Sequence, residues 1–344
     1  MRAVVLLGHG GFDQLSVRND VPVPTPGPDD VLVNVRGSAV NNTDINTRLG
    51  WYAKDAATAP DLGWLGEPFH FPRIQGADAC GLIVAVGEGV SASRIGQRVL
   101  VEPVFRPPGR PLADARYFGS EVDGGFAEYA LVPSRHAFTV TSDLSDEALA
   151  SFPCSYSAAE NMLARVGLQA REQLLITGAS GGVGSAAVQL AGARGAFVTG
   201  VATANKLAEL GRLGAHHTVD RNADLLAQLG PNSFDVIVDV VGGPHWPRLL
   251  ELLRPGGRYA TCGAIAGPVV PLDLRTLYLK DLLLVGCTVL DEGVFAGLIT
   301  RIEQGQVKPL VAASFALSDI VAAQELFLTK QHIGKIVLTI DALP

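Results

Sequence analysis

The stretch LLITGASGGVGSAAVQLAG, residues 174–192, decides the fold of this chain. Its first residues are apolar and partly β-branched, which is typical of a buried strand. Glycines follow at positions 178, 181, 182 and 184 with only small residues between them, and residues 185–191 then have the composition of a tightly packed helix. A strand, a glycine-rich turn and a helix in this order predict a dinucleotide-binding loop. In such a loop the helix N-terminus presents free N–H groups to a pyrophosphate. We therefore expect the pyrophosphate to be met by Ser180, Gly181, Gly182 and Val183.

Composition bounds the class of protein. The 344 residues are 48% hydrophobic and 18% charged, which indicates a globular chain with more than one core. The formal net charge of −7 disfavours a nucleic-acid-binding surface and attraction to anionic membranes. We find no apolar run of the ~18 residues that a membrane helix needs, and we interpret the N-terminus as a first strand and not as a signal peptide. Four widely spaced cysteines in apolar settings favour free thiols and a cytoplasmic location.

The chain divides into two kinds of sequence. Its first third has short β-like runs between Gly and Pro residues, predicted as strands at 3–7, 31–35, 81–86 and 98–101, which suggest a barrel-like β domain. From residue 174 strands and helices alternate, as in a doubly wound parallel sheet, with strands expected at 174–177, 196–201, 217–220, 234–240, 258–261 and 282–287. The chain ends in one more strand, GKIVLTI. We predict a β domain at 1–150, completed by 305–344, and a nucleotide-binding domain at 151–304.

One long segment breaks the rhythm of the first domain. Residues 51–72 form a predicted loop that carries Trp51, Tyr52, Trp64, Phe69, His70 and Phe71. A long loop in a compact domain is usually functional or interfacial. We expect this one to shape a pocket or a contact between subunits, while Trp64 and Phe69 fit a small local core equally well.

The residues after the second predicted strand of the nucleotide domain bear on the choice of nucleotide. An acidic residue about 20 positions beyond the glycines binds the ribose 2′-hydroxyl of NAD. Here no Asp or Glu lies between Gly184 and Glu209, and Thr203 and Lys206 follow the strand. A lysine would attract a 2′-phosphate, and Arg221 could add charge or stack on adenine. We therefore expect NADPH as the cofactor, although Lys206 could also be a solvated helix residue.

Several motifs occur in the order found in one family. They include VNNTD (40–44), GADACG (76–81), DGGFAEYALVP (123–133), FPCSYS (152–157), GASGGVG (178–184), DVVGG (239–243), LRPGGRYATCG (253–263) and IGKIVL (333–338). Taken together, they make the chain resemble the zinc-independent branch of the medium-chain dehydrogenase/reductase superfamily, the quinone oxidoreductases. The resemblance implies an α/β protein with a GroES-like β-barrel catalytic domain and a Rossmann domain, and homodimers paired through the edge strands of the Rossmann sheets.

The same resemblance bears on metal binding. Zinc-containing relatives have a cysteine at the position of Asn41 and a histidine at that of Ala77, and only their third ligand, a cysteine, matches Cys154. One thiol without the other two ligands does not make a catalytic zinc site. Residues 102–123 also lack the cysteines of a structural zinc loop. His70 is the nearest spare imidazole. We expect no metal.

Catalytic candidates come from the VNNTD motif and the loop after it. The resemblance makes Asn41 a donor to the substrate carbonyl and Thr43 a proton relay, and it places Tyr52 near the pocket. Asp44 is expected to hold the loop. An Asx-type turn cap would account for Asn41, Thr43 and Asp44 equally well. The chain departs from the family at Asn46, where some quinone reductases carry a further tyrosine.

The resemblance also adds cofactor contacts. Ser157 precedes Ala158, which stands where many relatives have a threonine that touches the nicotinamide. The ribose or adenine is expected beside Val240, Val241 and Gly242, and the nicotinamide ribose near Gly263 and Ala264. Lys335 matches a basic position that reaches the pyrophosphate in relatives, although it could also be an exposed lysine at a strand end.

Three functions remain open at this stage. The first is an NADPH-dependent reductase of quinones or α,β-unsaturated carbonyls, small electrophiles whose conjugation spreads the negative charge that a metal would otherwise stabilise. The second is a zinc-independent alcohol or aldehyde dehydrogenase. The third is a non-catalytic NADPH-binding protein.

Overall fold

A computed structural model of the chain describes residues 1–53 and 68–340. The chain divides into two compact units, one of residues 1–154 with 309–344 and the other of residues 155–308. Each junction lies four residues beyond the one predicted, at 154/155 instead of 150/151 and at 308/309 instead of 304/305. Trp64 and the middle of the predicted aromatic loop lie outside the described residues. Within those residues, no helix is long and apolar enough to cross a membrane.

The first unit begins with short strands and few helices. Its longest strand, β3, pairs with β5 along one edge. Residues 30–34 of β3 pair with β9 along the other edge. The strands are β1 (Ala3–Leu6), β2 (Leu15–Arg18), β3 (Asp30–Ala39), β4 (Arg73–Ile74), β5 (Cys80–Val86), β6 (Arg98–Val101), β7 (Val104–Phe105), β8 (Arg116–Tyr117), β9 (Tyr129–Pro133) and β10 (Ala137–Thr139), and the helices are α1 (Asn42–Arg48) and α2 (Asp146–Ala150).

Strand β3 is longer than the sequence predicted. We expected it to end at Val35. The strand continues to Ala39, because residues 37–39 pair with residues 337–339 near the end of the chain, and helix α2 packs against Gly37. A Cβ atom at Gly37 would lie 2.9 Å from the backbone oxygen of Asp146. The glycine therefore marks a close approach of two elements and not the end of a strand.

The second unit is a parallel sheet of six strands in the order β13-β12-β11-β14-β15-β16. All six strands that the sequence predicted are present, with His217–Asp220 at its expected bounds. The strands are β11 (Gln173–Ile176), β12 (Phe197–Ala202), β13 (His217–Asp220), β14 (Phe234–Asp239), β15 (Leu253–Thr261) and β16 (Leu283–Gly286). The helices are α3 (Pro153–Arg165), which contains the first junction, α4 (Gly182–Ala193), α5 (Leu207–Arg212), α6 (Leu225–Leu229), α7 (Trp246–Leu252), α8 (Leu274–Leu279) and α9 (Val294–Glu303).

The end of the chain returns to the first unit. Strands β17 (Val311–Ala316) and β18 (Lys335–Thr339) pair with each other in parallel, and helix α10 (Ile320–Leu328) connects them in the sequence. Strand β18 pairs antiparallel with residues 37–39 of β3, directly beyond the part of β3 that β9 occupies. The last strand therefore completes the sheet at the end of β3, immediately before VNNTD.

Candidate active site

Helix α1 begins at the VNNTD motif, and its start is held by Asp44. The backbone N–H of Asn41, the N-cap residue, donates to Oδ2 of Asp44 over 2.7 Å. The other carboxylate oxygen of Asp44 accepts from the backbone N–H of Gly76 over 3.3 Å. Gly76 has φ +102°, and a Cβ there would lie 2.5 Å from the ring of Phe126. Asp44 thus fastens the first turn of α1 to the GADACG segment, in agreement with the loop-holding role expected for it.

Lys335 lies opposite Asn41 because of the pairing between β18 and β3. Val337 is opposite Ala39, and the backbone N–H of Val40 donates to the carbonyl of Ile336 over 2.9 Å. Two more residues in the same antiparallel register bring Lys335 level with Asn41. The Lys335 ammonium donates to Oδ1 of Asn41 and, over 2.9 Å, to Oδ2 of Asp78.

These contacts correct two readings of Lys335. It is not an exposed lysine at a strand end, because it is only 2% exposed and its partner Asp78 is 0% exposed. Its ammonium is directed at Asp78 and Asn41, so the structure does not support the prediction that it reaches the pyrophosphate. The sequence did not identify Asp78 as a site residue, since GADACG reads only as a family motif.

The side-chain amide of Asn41 is fully engaged inside the first unit. Its Nδ2 donates to Oδ2 of Asp78 over 2.7 Å and to the carbonyl of Ala39 over 3.1 Å, while Oδ1 accepts from Lys335. An amide nitrogen carries two hydrogens, and both are used here. A substrate carbonyl would have to displace one of these acceptors, so donation from Asn41 to the substrate stays a prediction. Asn41 links α1 to the pair formed by Lys335 and Asp78.

The other two catalytic candidates, Thr43 and Tyr52, lie together. The Tyr52 hydroxyl donates to Oγ1 of Thr43 over 3.5 Å, and Nδ2 of Asn46 donates to the Tyr52 hydroxyl over 3.4 Å. Both distances are long for hydrogen bonds. A ligand oxygen could replace either partner at little cost. Asn46, noted in the sequence only as a departure from the family, is the third member of this cluster.

Burial shifts two pKa values in this region. It raises the pKa of Tyr52 to about 12, so at neutral pH the phenol keeps its proton and can donate a hydrogen bond. It also raises the pKa of Asp44 to about 7, with a smaller contribution from the negative charge of Asp78, while hydrogen bonds from Asn41 and Gly76 and the charge of Lys335 oppose the rise. Asp44 is therefore the group in this cluster that titrates near neutral pH.

The residues at the positions of zinc ligands are now placed. The side chain of Asn41 is hydrogen-bonded to Lys335, Asp78 and Ala39, and the side chain of Ala77 has no atom that can bind a metal. The backbone N–H of Cys154 donates to Oδ1 of Asp78 over 2.6 Å. His70 is exposed. Among the described residues, no group of three or more His, Cys, Asp or Glu side chains is arranged to hold a metal.

In the second unit, the glycine-rich turn has the shape expected of a phosphate loop. Helix α4 begins at Gly182, earlier than the predicted residue 185, and its N-cap Gly181 makes no side-chain cap. The first-turn N–H groups of a helix have no acceptors within the helix, so they are available to an anion. A Cβ at Gly184 would lie 2.2 Å from the carbonyl oxygen of Gly178. The turn therefore has the shape that the pyrophosphate of a dinucleotide requires, and the contacts of Ser180 and Val183 with that pyrophosphate stay predictions.

A buried aspartate that the sequence did not identify organises the neighbouring loop. Asp239 ends β14 and is 0% exposed. It accepts hydrogen bonds from the hydroxyls of Thr177 and Tyr259, the latter over 2.6 Å, and from the backbone N–H groups of Val241 and Gly242. It thus joins the ends of three strands and fixes the loop that follows Val240, where we expect the cofactor. The only sequence signal was its place near the end of a buried strand, at the start of DVVGG.

Further predicted contacts occupy the ends of neighbouring strands. Gly242, Gly263 and Ala264 border a cavity of about 240 Å³. Val240 lies against Gly263, where a Cβ would be 3.4 Å from the Val240 carbonyl oxygen. Ser157 is buried on helix α3, 1% exposed.

The residues expected to discriminate NADPH from NADH lie after β12 and β13. Thr203 begins the short turn that ends at Lys206, and the backbone N–H of Arg221 donates to the carbonyl of Ala202 over 2.7 Å. Lys206 is 6% exposed, which corrects the alternative of a solvated helix residue. Burial lowers the pKa of Lys206, and the positive charge of Arg221 lowers it further. The two cations are therefore near enough for their charges to interact.

Comparison with known proteins identifies the family. The alcohol dehydrogenase GroES-like domain matches residues 27–142, and the family described as zinc-binding dehydrogenase matches residues 182–304. A quinone oxidoreductase of Lama guanicoe is 31% identical, over 98% of this chain and 97% of that protein. The chain belongs to the medium-chain dehydrogenase/reductase superfamily. As a member of this superfamily it is an oxidoreductase with a GroES-like N-terminal domain and a Rossmann domain that binds a nicotinamide cofactor.

Two other members of the superfamily are close in sequence or structure. An acryloyl-coenzyme A reductase of Metallosphaera sedula is 29% identical over 98% of this chain and 100% of that protein. A solved structure of a candidate alcohol dehydrogenase from Sinorhizobium meliloti 1021 is 45% identical, with a TM-score of 0.92, over 99% of this chain and 97% of that one. These likenesses extend over both units of the chain.

Proposed function

We propose that the protein is an NADPH-dependent, metal-free reductase that transfers hydride to a quinone or an α,β-unsaturated carbonyl compound. The observation that carries the proposal is the position of the Lys335 ammonium between Asn41 and Asp78. Asn41 stands at the position of one zinc ligand of the zinc relatives, and Asp78 directly follows Ala77, the position of another. The buried ammonium is hydrogen-bonded to Oδ1 of Asn41 and to Oδ2 of Asp78, so these oxygens are already engaged and are not open to a divalent cation.

A reductase that works without a Lewis acid, as proposed here, favours a conjugated hydride acceptor. Hydride addition to a simple carbonyl concentrates negative charge on one oxygen, and a metal would stabilise that charge. In an enone or a quinone the charge is spread by conjugation, so hydrogen-bond donors suffice. The names of two relatives are in line with this chemistry, since acryloyl-coenzyme A is an α,β-unsaturated thioester and the other relative reduces quinones.

The reduced nicotinamide, when bound, supplies the hydride. The chain supplies the hydrogen-bond donors and the proton. Tyr52 remains protonated at neutral pH and can donate to the carbonyl oxygen of the acceptor. Oγ1 of Thr43 lies 3.5 Å from the Tyr52 hydroxyl, and Thr43 can pass a proton to the phenol. The side-chain amide of Asn46 supplies an N–H donor that orients the phenol.

The choice of NADPH is supported by the pair Lys206 and Arg221. Because neighbouring cations repel one another, a 2′-phosphate between them would relieve the repulsion and gain charge-assisted hydrogen bonds. The pyrophosphate would be held by the backbone of Ser180, Gly181, Gly182 and Val183 at the start of α4. Thr203 lies at the same strand end and offers a hydroxyl.

The proposal is tested by the acceptors that support NADPH oxidation. Purified protein is incubated with NADPH or NADH and, separately, with a naphthoquinone, an aryl enone, an acryloyl thioester and an aliphatic aldehyde. We expect NADPH oxidation with at least one conjugated acceptor, slower oxidation of NADH, and no reaction with the aldehyde. Turnover of the aldehyde alone would contradict the proposal.

A second candidate is a zinc-independent alcohol dehydrogenase. It is favoured by the 45% identity to the candidate alcohol dehydrogenase of Sinorhizobium meliloti. The same panel separates the two functions, because this candidate reduces the saturated aldehyde and oxidises the matching alcohol. Tight binding of NADPH without oxidation by any acceptor would favour the non-catalytic alternative.

We further propose that the protein is a homodimer paired along β16. This strand is the last of the sheet order, and Leu283 on it is 51% exposed. Nearby apolar side chains are also exposed, with Leu279 at 71% and Val269 at 90%. An open strand edge beside an exposed apolar patch fits a second copy of the same surface. Light scattering after size exclusion should give twice the 36.0 kDa chain mass, and Leu279→Glu should give monomers. A monomeric parent protein would contradict this assignment.

A further inference from the structure

The buried ion pair of Lys335 and Asp78 makes more hydrogen bonds to other segments than a surface ion pair does. Its side chains are 3% and 0% exposed. A buried ion pair is weak evidence for stability, because desolvation of the two charges offsets their attraction. The cost of burying this pair therefore suggests a role other than holding the fold together.

The pair joins four segments that are far apart in the sequence. Lys335 starts β18, and it binds Asn41 at the N-cap of α1. Asp78, in the GADACG segment, accepts from Nδ2 of Asn41 through one oxygen and from the backbone N–H of Cys154, at the start of α3, through the other. The two charges thus fix the place from which both helices begin.

We propose that Lys335 is a positioning residue for the reductase reaction, and that it acts through Asn41 and the first turn of α1 on Thr43 and Tyr52. This inference rests on the proposed function. Lys335 does not touch the acceptor in this assignment; its ammonium sets the geometry of the residues that do.

The direction of the hydrogen bonds shows how the ammonium acts. An ammonium only donates, so it requires the oxygen end of the Asn41 side chain, and the nitrogen end must then face Asp78 and the carbonyl of Ala39. Without the charge at residue 335 the amide could turn over, and the N-cap would lose its anchor to β18. Thr43 is the second residue of α1, and Asn46 is one turn further on. A shift of this turn changes two of the contacts of Tyr52.

The inference predicts a kinetic signature that differs from phosphate binding. Lys335→Met keeps most of the side-chain volume and removes the charge. We expect kcat with a conjugated acceptor to fall ~10- to 100-fold, as a misplacement of about 1 Å can cause, while the KM for NADPH changes less than about 2-fold. Hydrogen exchange at residues 39–48 should become faster, and this readout does not depend on activity.

Lys330→Met is the matched control. Lys330 is exposed and its ammonium donates to Oδ1 of Asn42, the residue next to Asn41, over 2.9 Å. Its loss also removes a lysine-to-amide bond at the start of α1, but in solvent. We expect kcat and the exchange rates of this variant to stay within about 2-fold of the parent protein.

If Lys335→Met fails to fold, the double variant Lys335→Met/Asp78→Asn replaces it, because it leaves no buried charge unpaired. A folded variant with reduced kcat, an unchanged KM for NADPH and faster exchange at 39–48 supports the inference. An unchanged kcat in a folded variant, or a raised KM for NADPH at constant kcat, overturns it. If the parent protein reduces no conjugated acceptor, the proposed function has failed; in that case the exchange rates and the dissociation constant of NADPH, measured by fluorescence, still decide whether Lys335 organises α1.

Discussion

The hydroxyl of Tyr52 lies 3.5 Å from Oγ1 of Thr43, and burial raises the pKa of the phenol to about 12. Tyr52 is therefore protonated at neutral pH and can donate a hydrogen bond. Tyr52→Phe should lower kcat for conjugated acceptors by ~100-fold or more, as the loss of one hydrogen-bond donor to a developing negative charge does. The KM for NADPH should stay nearly constant. Steady-state kinetics checks both values, and Trp51→Phe, at the exposed neighbouring residue, is the control for packing of the loop. Full activity of Tyr52→Phe would remove the phenol from the mechanism.

The corner formed by Lys206 and Arg221 should decide between the two nicotinamide dinucleotides. Each charged contact to a 2′-phosphate is worth ~1.5–3 kcal/mol. We therefore expect Lys206→Met or Arg221→Gln to weaken NADPH binding ~10- to 100-fold and to leave NADH binding nearly unchanged. Fluorescence titration with each dinucleotide measures this. Arg212→Gln is the control. Arg212 lies on helix α5, which directly follows Lys206, but it is paired with Glu209, so this change should alter neither affinity. Equal losses for NADH and NADPH would show that the corner does not recognise the phosphate.

Gly184 and Gly192 lie on the same helix and offer a matched pair of substitutions. In Gly184→Ala the new Cβ would meet the carbonyl oxygen of Gly178 at 2.2 Å. We expect the free energy of unfolding to fall by about 1–3 kcal/mol, and NADPH binding to be lost or strongly weakened because the turn must shift. In Gly192→Ala nothing lies within 4 Å of the new Cβ. That variant should be stabilised by up to ~1 kcal/mol through helix propensity. Thermal unfolding and NADPH titration of both variants test the pair; unchanged NADPH binding by Gly184→Ala would contradict the assigned phosphate loop.

Asp44 should make stability depend on pH in a known direction. Its pKa rises from the usual 3.8 to about 7 on folding. Between these values the folded state holds the proton and the unfolded state does not. The contribution of Asp44 is therefore fully present below about pH 4 and is lost as the pH rises through 7, at up to about 1.4 kcal/mol per pH unit.

Asp44→Asn cannot titrate and should lack this dependence. The difference in unfolding free energy between the parent protein and the variant should shift toward the variant as the pH rises from about 4 to 7. Only the slope of the difference is diagnostic, because the variant also loses an acceptor for Asn41 or Gly76. Denaturant unfolding across this pH range measures it. Parallel stability curves would show that Asp44 is already ionised in the folded protein at low pH.

The second unit was predictable from sequence because its signals are local. Each of its strands is a short apolar run. The turn at Gly178–Gly184 needs glycine because of its own backbone conformation and close contacts within the turn itself. In the first unit, by contrast, strand β3 passes Gly37 because its last residues pair with β18, and the sequence near residue 37 carries no sign of residues 337–339.

The first unit shows why the site was only partly predictable. Thr43 and Tyr52 are near in sequence, and the resemblance made both of them catalytic candidates. The contact of Lys335 with Asn41 was not predicted, because it depends on the register between strands that lie almost 300 residues apart. Asp78 and Asp239 were missed because an aspartate beside small or apolar residues gives no sign of how many hydrogen bonds it accepts. Each of them is recognised only when its donors are counted.

The central claim, reduction of a conjugated acceptor without a metal, is tested most directly by metal content and activity in one preparation. The protein is treated with a strong chelator, its metal content is measured by mass spectrometry, and NADPH oxidation with the best conjugated acceptor is followed before and after addition of zinc. We predict less than about 0.1 zinc per chain and full turnover, unchanged by added zinc. Stoichiometric zinc bound beside Cys154, with activity lost on its removal and restored on its return, would contradict the account.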